Sequence, residues 1–133
     1  MFDGNRMDKF ELQKRTKEFA VRVLKLVEHL PKSVGGRAIA NQIVRSATSV
    51  GANYRAACRA RSRAEFAAKL GVVLEEADET LYWLELIVAG NLLSERKVSL
   101  LLREANELTA IFTAGRHTST HPKNQTSNIL PQT

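Results

Sequence analysis

The sequence predicts an all-α protein, an antiparallel up-down-up-down four-helix bundle, and three observations carry that prediction. Four stretches repeat apolar residues every three or four positions. No stretch shows the strict alternation of a half-buried strand. Short segments rich in Pro, Gly or Ser separate most of the stretches. At 133 residues the chain has the size of one compact domain.

The first helix is expected over about 8–30, with Leu12, Phe19, Val23, Leu26 and Leu30 on one face. Pro31 lacks a backbone N–H and disfavours helix in the residue before it, so it marks the stop. Ser33, Gly35 and Gly36 read as a loop. The second helix is expected over 37–59, with Ile39, Ile43, Ala47, Val50, Tyr54 and Ala57 as its core stripe. Gln42, Ser46, Ser49 and Asn53 border that stripe and read as hydrogen-bonding groups at a helix–helix contact. Ser62-Arg63-Ala64-Glu65 has the spacing of a capping box and starts the third helix, expected over 63–90; no Gly or Pro marks this break, and one continuous long helix is the competing reading. Gly51 and Gly71 lie inside helices, where each costs roughly 1 kcal/mol against Ala, so close packing is the reason for them.

The third helix shows two apolar strips. Phe66, Leu70, Leu74, Ala77, Leu81, Leu84 and Val88 form the wide one, which faces the core. Val72, Trp83, Leu86 and Ile87 form the second. A surface helix of a monomer needs one buried face, so the second strip predicts a homo-oligomer interface with Trp83 as its anchor. Ser94 caps the fourth helix, expected over 95–114, with Val98, Leu101, Leu102, Ala105, Leu108 and Phe112 inward and Gly115 as its stop. Residues 1–115 then form the bundle. Residues 116–133 are expected to be a disordered polar tail, because they hold too little apolar surface to offset ordering.

The opening segment has no apolar h-region, and no apolar run reaches the length of a membrane span. With one cysteine, Cys58, no intramolecular disulfide is possible. The expectation is a cytoplasmic protein without a membrane association. The net charge of +6 is unevenly placed: residues 32–69 hold eight Lys or Arg against one acid, and residues 70–90 hold five acids and no Lys or Arg. Segregation of this kind marks an electrostatic partner, either an external polyanion or an acidic segment of a neighbouring subunit.

Arg37, Arg55, Arg59, Arg61, Arg63 and Lys69 are the candidate nucleic-acid contacts, with Arg45 leaning to a structural role. Arginines on a rigid helix can position phosphates without reading bases, which suits RNA or DNA bound non-specifically. The competing reading pairs these arginines with Glu75, Asp78, Glu79 or Glu85 of a neighbour and leaves a scaffold for a protein partner.

Catalytic and cofactor signatures are lacking. The chain has no phosphate-binding glycine loop, no G-x-S-x-G, no H-E-x-x-H and no C-x-x-C, so no enzyme, cofactor or metal is expected. His117 and His121 have helical metal-pair spacing but fall in the expected tail without a third ligand. Cys58 reads as a small edge residue, His29 as a C-terminal helix residue, and the Asn124-Gln125-Thr126 sequon carries no weight in a cytoplasmic chain.

The stretch from Asn41 to Leu84 resembles the bacterial four-helix-bundle family of ribosomal-RNA intervening-sequence proteins. The likeness is densest at Gln42, Ile43, Arg45, Ala47, Ser49 and Asn53, then at Arg61, Ser62, Glu65 and Phe66, then at Leu74, Glu76, Ala77 and Leu81. Many members carry Glu-Gly shortly after the asparagine, where this chain has Ala56-Ala57. The resemblance implies a ring-shaped homopentamer without enzymatic activity. A related group, the accessory proteins of diversity-generating retroelements, implies nucleic-acid binding by analogy of fold.

Overall fold

The structure, a computed structural model, describes residues 7–121. Four helices follow one another: α1 (Lys9–Val27), α2 (Val34–Ala57), α3 (Arg63–Ala89) and α4 (Glu95–Thr120). Among the described residues there is no strand. Connectors 28–33, 58–62 and 90–94 are too short to do anything but turn each helix back along its predecessor. Matched positions far from the turns agree with that: Thr16 lies against Gly51, Ser46 against Thr80, and Arg116 over Gly71. Sequential helices are neighbours and α4 closes on α1, the sparsest of the four seams.

Local chemistry fixes the helix starts. Asp8 accepts from the Glu11 N–H at 2.8 Å while Glu11 accepts from the Asp8 N–H at 3.2 Å, a complete capping box. Ser33 accepts from the Gly36 N–H at 3.1 Å, so α2 begins at Val34, three residues before the expected Arg37. The first turn of α2 uses Gly36 for a steric reason, since a Cβ there would lie 2.0 Å from the Pro31 carbonyl oxygen. At α3, Ser62 accepts from the Glu65 N–H, but Glu65 reaches back to the Arg61 N–H and not to Ser62, so the expected box is shifted by one residue. After Ala89, Asn91 takes a left-handed conformation at φ 58°. The Leu92 and Asn91 N–H groups then donate to the Ile87 and Val88 carbonyls, a Schellman end with Asn in place of Gly.

Two expectations are corrected. Gly115 does not stop α4: it is buried in regular helix. The Thr118, Ser119 and Thr120 hydroxyls donate back to the Ala114, Gly115 and Arg116 carbonyls, and the helix runs to Thr120. The tail expected from residue 116 is therefore helical over 116–120. The rest of it, 122–133 with the Asn124 sequon, lies outside the described residues. Ile87 is fully buried in the core, so it supplies no interface strip.

Phe19, Ile43, Tyr54, Phe66, Leu70, Leu84 and Phe112 form the centre of the core, with the Tyr54 and Phe112 rings 5.6 Å apart. Burial, and secondarily Cys58 one turn on, push the Tyr54 phenol well above its usual range. Its hydroxyl has no well-formed hydrogen bond among the described residues. The polar stripe of α2 behaves unevenly. The Ser46 and Thr80 hydroxyls meet at 2.8 Å inside the α2–α3 seam, while Ser49 and Asn53 bond to their own helix and Gln42 is exposed.

Candidate nucleic-acid interface

Two sets of arginines stand apart in their surroundings. Arg45 reaches across the α2–α3 seam to Glu76 and Glu79. The Arg45 guanidinium, and then the Trp83 indole N–H at 3.0 Å, hold the Glu79 carboxyl below its ordinary value. Arg15 bridges α1 to α4 as a fork on Glu104, at 2.6 and 2.8 Å, and also meets Glu107 at 2.5 Å. Hydrogen bonding to Glu104 raises the Arg15 pKa against the opposing effect of burial. Both arginines are spent on holding helices together.

Arg55, Arg59, Arg61 and Arg63 are the other group. They crowd round the α2–α3 turn, all exposed, and among the described residues none has a carboxylate within 4.0 Å. The sequence places them here because the turn falls between Ala57 and Arg63, so helix C-terminus and helix N-terminus both contribute. Lys69 is half-buried about two turns into α3. Arg37 is exposed but sits at the far end of α2, 18 residues before Arg55, or about 27 Å at 1.5 Å per residue. It does not belong to the same patch. The acids Glu75, Asp78 and Glu85 are exposed in the middle and second half of α3, away from this turn.

Charge counting along the chain missed residues that α1 and α4 bring to the same end. The Arg116 guanidinium lies over Gly71, with Nε 3.0 Å from where a Cβ would stand. Lys14, Lys17, Phe10 and Arg55 line a groove between α1 and α2. Helical spacing of Phe10, Lys14 and Lys17 at i, i+4 and i+7 was the available signal.

Of the expected interface strip, Val72 is exposed, and Trp83 and Leu86 are half-buried. Tyr82, exposed beside them, stacks edge-on against Trp83 at 5.2 Å. His117 and His121 stack at 4.3 Å on α4, and among the described residues no cluster of three His, Cys, Asp or Glu could hold a metal ion. No described helix is long and apolar enough to cross a membrane.

Four antiparallel helices with one arginine-rich turn define a small four-helix-bundle protein with a basic end. Residues 8–114 match the family model of the 23S rRNA-intervening sequence protein. The chain belongs to that family. It is also similar to the crystal structure of a protein of unknown function from the S23 ribosomal protein family of Bacteroides thetaiotaomicron. That likeness has 35% identity and a TM-score of 0.72, and covers 78% of this chain and 96% of the other. No curated protein gives a significant match.

Proposed function

We propose that this chain is a non-enzymatic, self-assembling cytoplasmic bundle that binds RNA or DNA without sequence preference through the α2–α3 turn. One observation carries the reading: Arg55, Arg59, Arg61 and Arg63 share one exposed turn with no carboxylate within 4.0 Å among the described residues, whereas the seam arginines are paired. Guanidinium forks gathered at one short turn between two helices can meet successive phosphates. The family description names an intervening sequence of rRNA and not a ligand, so the weight rests on the arginines.

Assembly, with five copies by the family resemblance, would repeat the turn and let weak phosphate contacts add through effective concentration. The exposed Val72 and Tyr82 beside the half-buried Trp83 and Leu86 favour assembly through α3. The same strip supports a second reading, an oligomeric scaffold for a protein partner with the arginines serving subunit contacts.

A salt series separates them. Affinity for a long RNA or DNA should fall steeply with salt through counterion release. Arg59→Glu with Arg61→Glu should weaken binding to all sequences about equally while light scattering still reports the parent's assembly. A double variant that falls apart favours the scaffold. One that assembles and binds as tightly as before at moderate salt removes the turn from the site.

A further inference from the structure

The groove between α1 and α2 combines three features. Its floor is low, because Ala20, Gly51 and Ala52 offer little or no side chain and Thr16 packs 3.2 Å from where a Gly51 Cβ would stand. Its rim is basic, with Lys14 and Lys17 from α1 and Arg55 from α2. At one end stands Phe10, which is 68% exposed, with the Lys9 ammonium 5.4 Å from its ring centroid. An aromatic ring this exposed contributes nothing to the core. The groove encloses about 480 Å³ and opens towards the arginine-rich turn through Arg55.

We propose that this groove takes the single-stranded form of nucleic acid, with an unpaired base stacked on Phe10 and its flanking phosphates on Lys14, Lys17 and Arg55. The assignment rests on the nucleic-acid reading above and narrows its substrate class. A backbone running down the groove continues onto Arg59 and Arg61, so one strand can satisfy both surfaces. Stacking needs an open π-face, which every unpaired base has and which a duplex keeps inside its own stack. Small floor residues let a flat base approach the helix backbones, and the cations track the phosphates on either side. Lys14, Lys17 and Arg55 meet phosphates and Phe10 meets a base face, so these contacts accept strands of any sequence, and the ring meets the base and not the sugar, so RNA and DNA are equivalent.

The test uses the full chain and fluorescence anisotropy at one fixed salt. The probes are a labelled mixed-sequence RNA strand, the DNA strand of the same sequence, and each strand annealed to its complement. Both single strands should bind more tightly than their duplexes. Phe10→Ala should weaken single-strand binding about tenfold, the effect of losing one base–aromatic stack, and leave duplex binding unchanged. Phe10→Trp should restore it. Phe10 is exposed, so circular dichroism should show the parent's helicity in both variants. Equal binding of strand and duplex with no effect of Phe10→Ala overturns the groove while Arg59→Glu with Arg61→Glu still weakens both, so the basic turn survives. A Phe10 effect confined to RNA or to DNA also overturns stacking. Absence of any binding at low salt removes both readings together.

Discussion

Helices α1 and α3 lie across the core from each other and are held in different ways. Helix α3 packs closely on both α2 and α4, burying Phe66, Leu70, Val73, Ala77, Thr80, Leu84 and Ile87. Helix α1 buries Leu12, Thr16, Phe19, Val23 and Leu26 mainly against α2, and meets α4 sparsely, with the Arg15 fork as its polar tie. Its outer face leaves Phe10, Val21 and Leu24 exposed. Close packing and the open groove thus fall on different helices. The hub helix is packed between two neighbours, and the loosely flanked one carries the groove.

The largest expected effect tests the hub. Leu84→Ala removes a fully buried side chain with little room for collapse and should cost about 2–5 kcal/mol, seen as a lower urea midpoint of one cooperative transition. The same truncation in α1, Leu12→Ala, should cost less, because the open α4 flank lets the site relax, and it should speed amide exchange in α1 first. Equal costs with uniform exchange would abolish the contrast.

A smaller effect isolates the tie between α1 and α4. Arg15→Ala should lower stability by no more than about 1 kcal/mol, since the pair is partly solvated, and raise exchange in α1 without touching α3. Exchange that rises equally in α3 would mean α1 is as firmly integrated as the hub.

The smallest effect is a pH response on the α3 surface. Glu79 is held below its ordinary value of 4.5 by Arg45 and Trp83. A depressed folded pKa means this contribution is present at neutral pH and is lost as pH falls through the folded value, below 4.5. Trp83 is the only tryptophan, so its fluorescence should change with a midpoint under 4.5 and lose that step in Glu79→Gln. A midpoint at or above 4.5 would show that Glu79 gains nothing from its partners.

Most of the fold was legible because apolar spacing and cap residues are local signals. Leu12, Ile43, Tyr54, Leu84 and Phe112 are core where their periodicity put them. The errors have specific causes. Apolar spacing runs the α3 core face through Leu74 and Leu81, which turns Ile87 outward. The buried face is instead turned towards Val73, Thr80 and Ile87, where the Ser46–Thr80 hydroxyl pair joins α2, and hydroxyls do not register as apolar. Gly115 looked like a stop because composition cannot reveal whether a glycine takes a left-handed conformation. In the candidate site, Arg55 to Arg63 were visible as a charge run. Charge alone groups Arg37 with them, although it lies at the far end of α2, and the α1 contribution of Phe10, Lys14 and Lys17 depends on which helix packs beside α2.

The glycines at 35 and 36 carry a lesson for reading relatives of this chain. Both sit in the first turn of α2, but a side chain at 35 would meet nothing within 4 Å, while at 36 it would run into the Pro31 carbonyl. Substitution is therefore open at one position and closed at the next, within a single helical turn. A glycine retained at 36 across an alignment would record a backbone collision. It would say nothing about a ligand, and a drifting residue at 35 would not signal relaxed function.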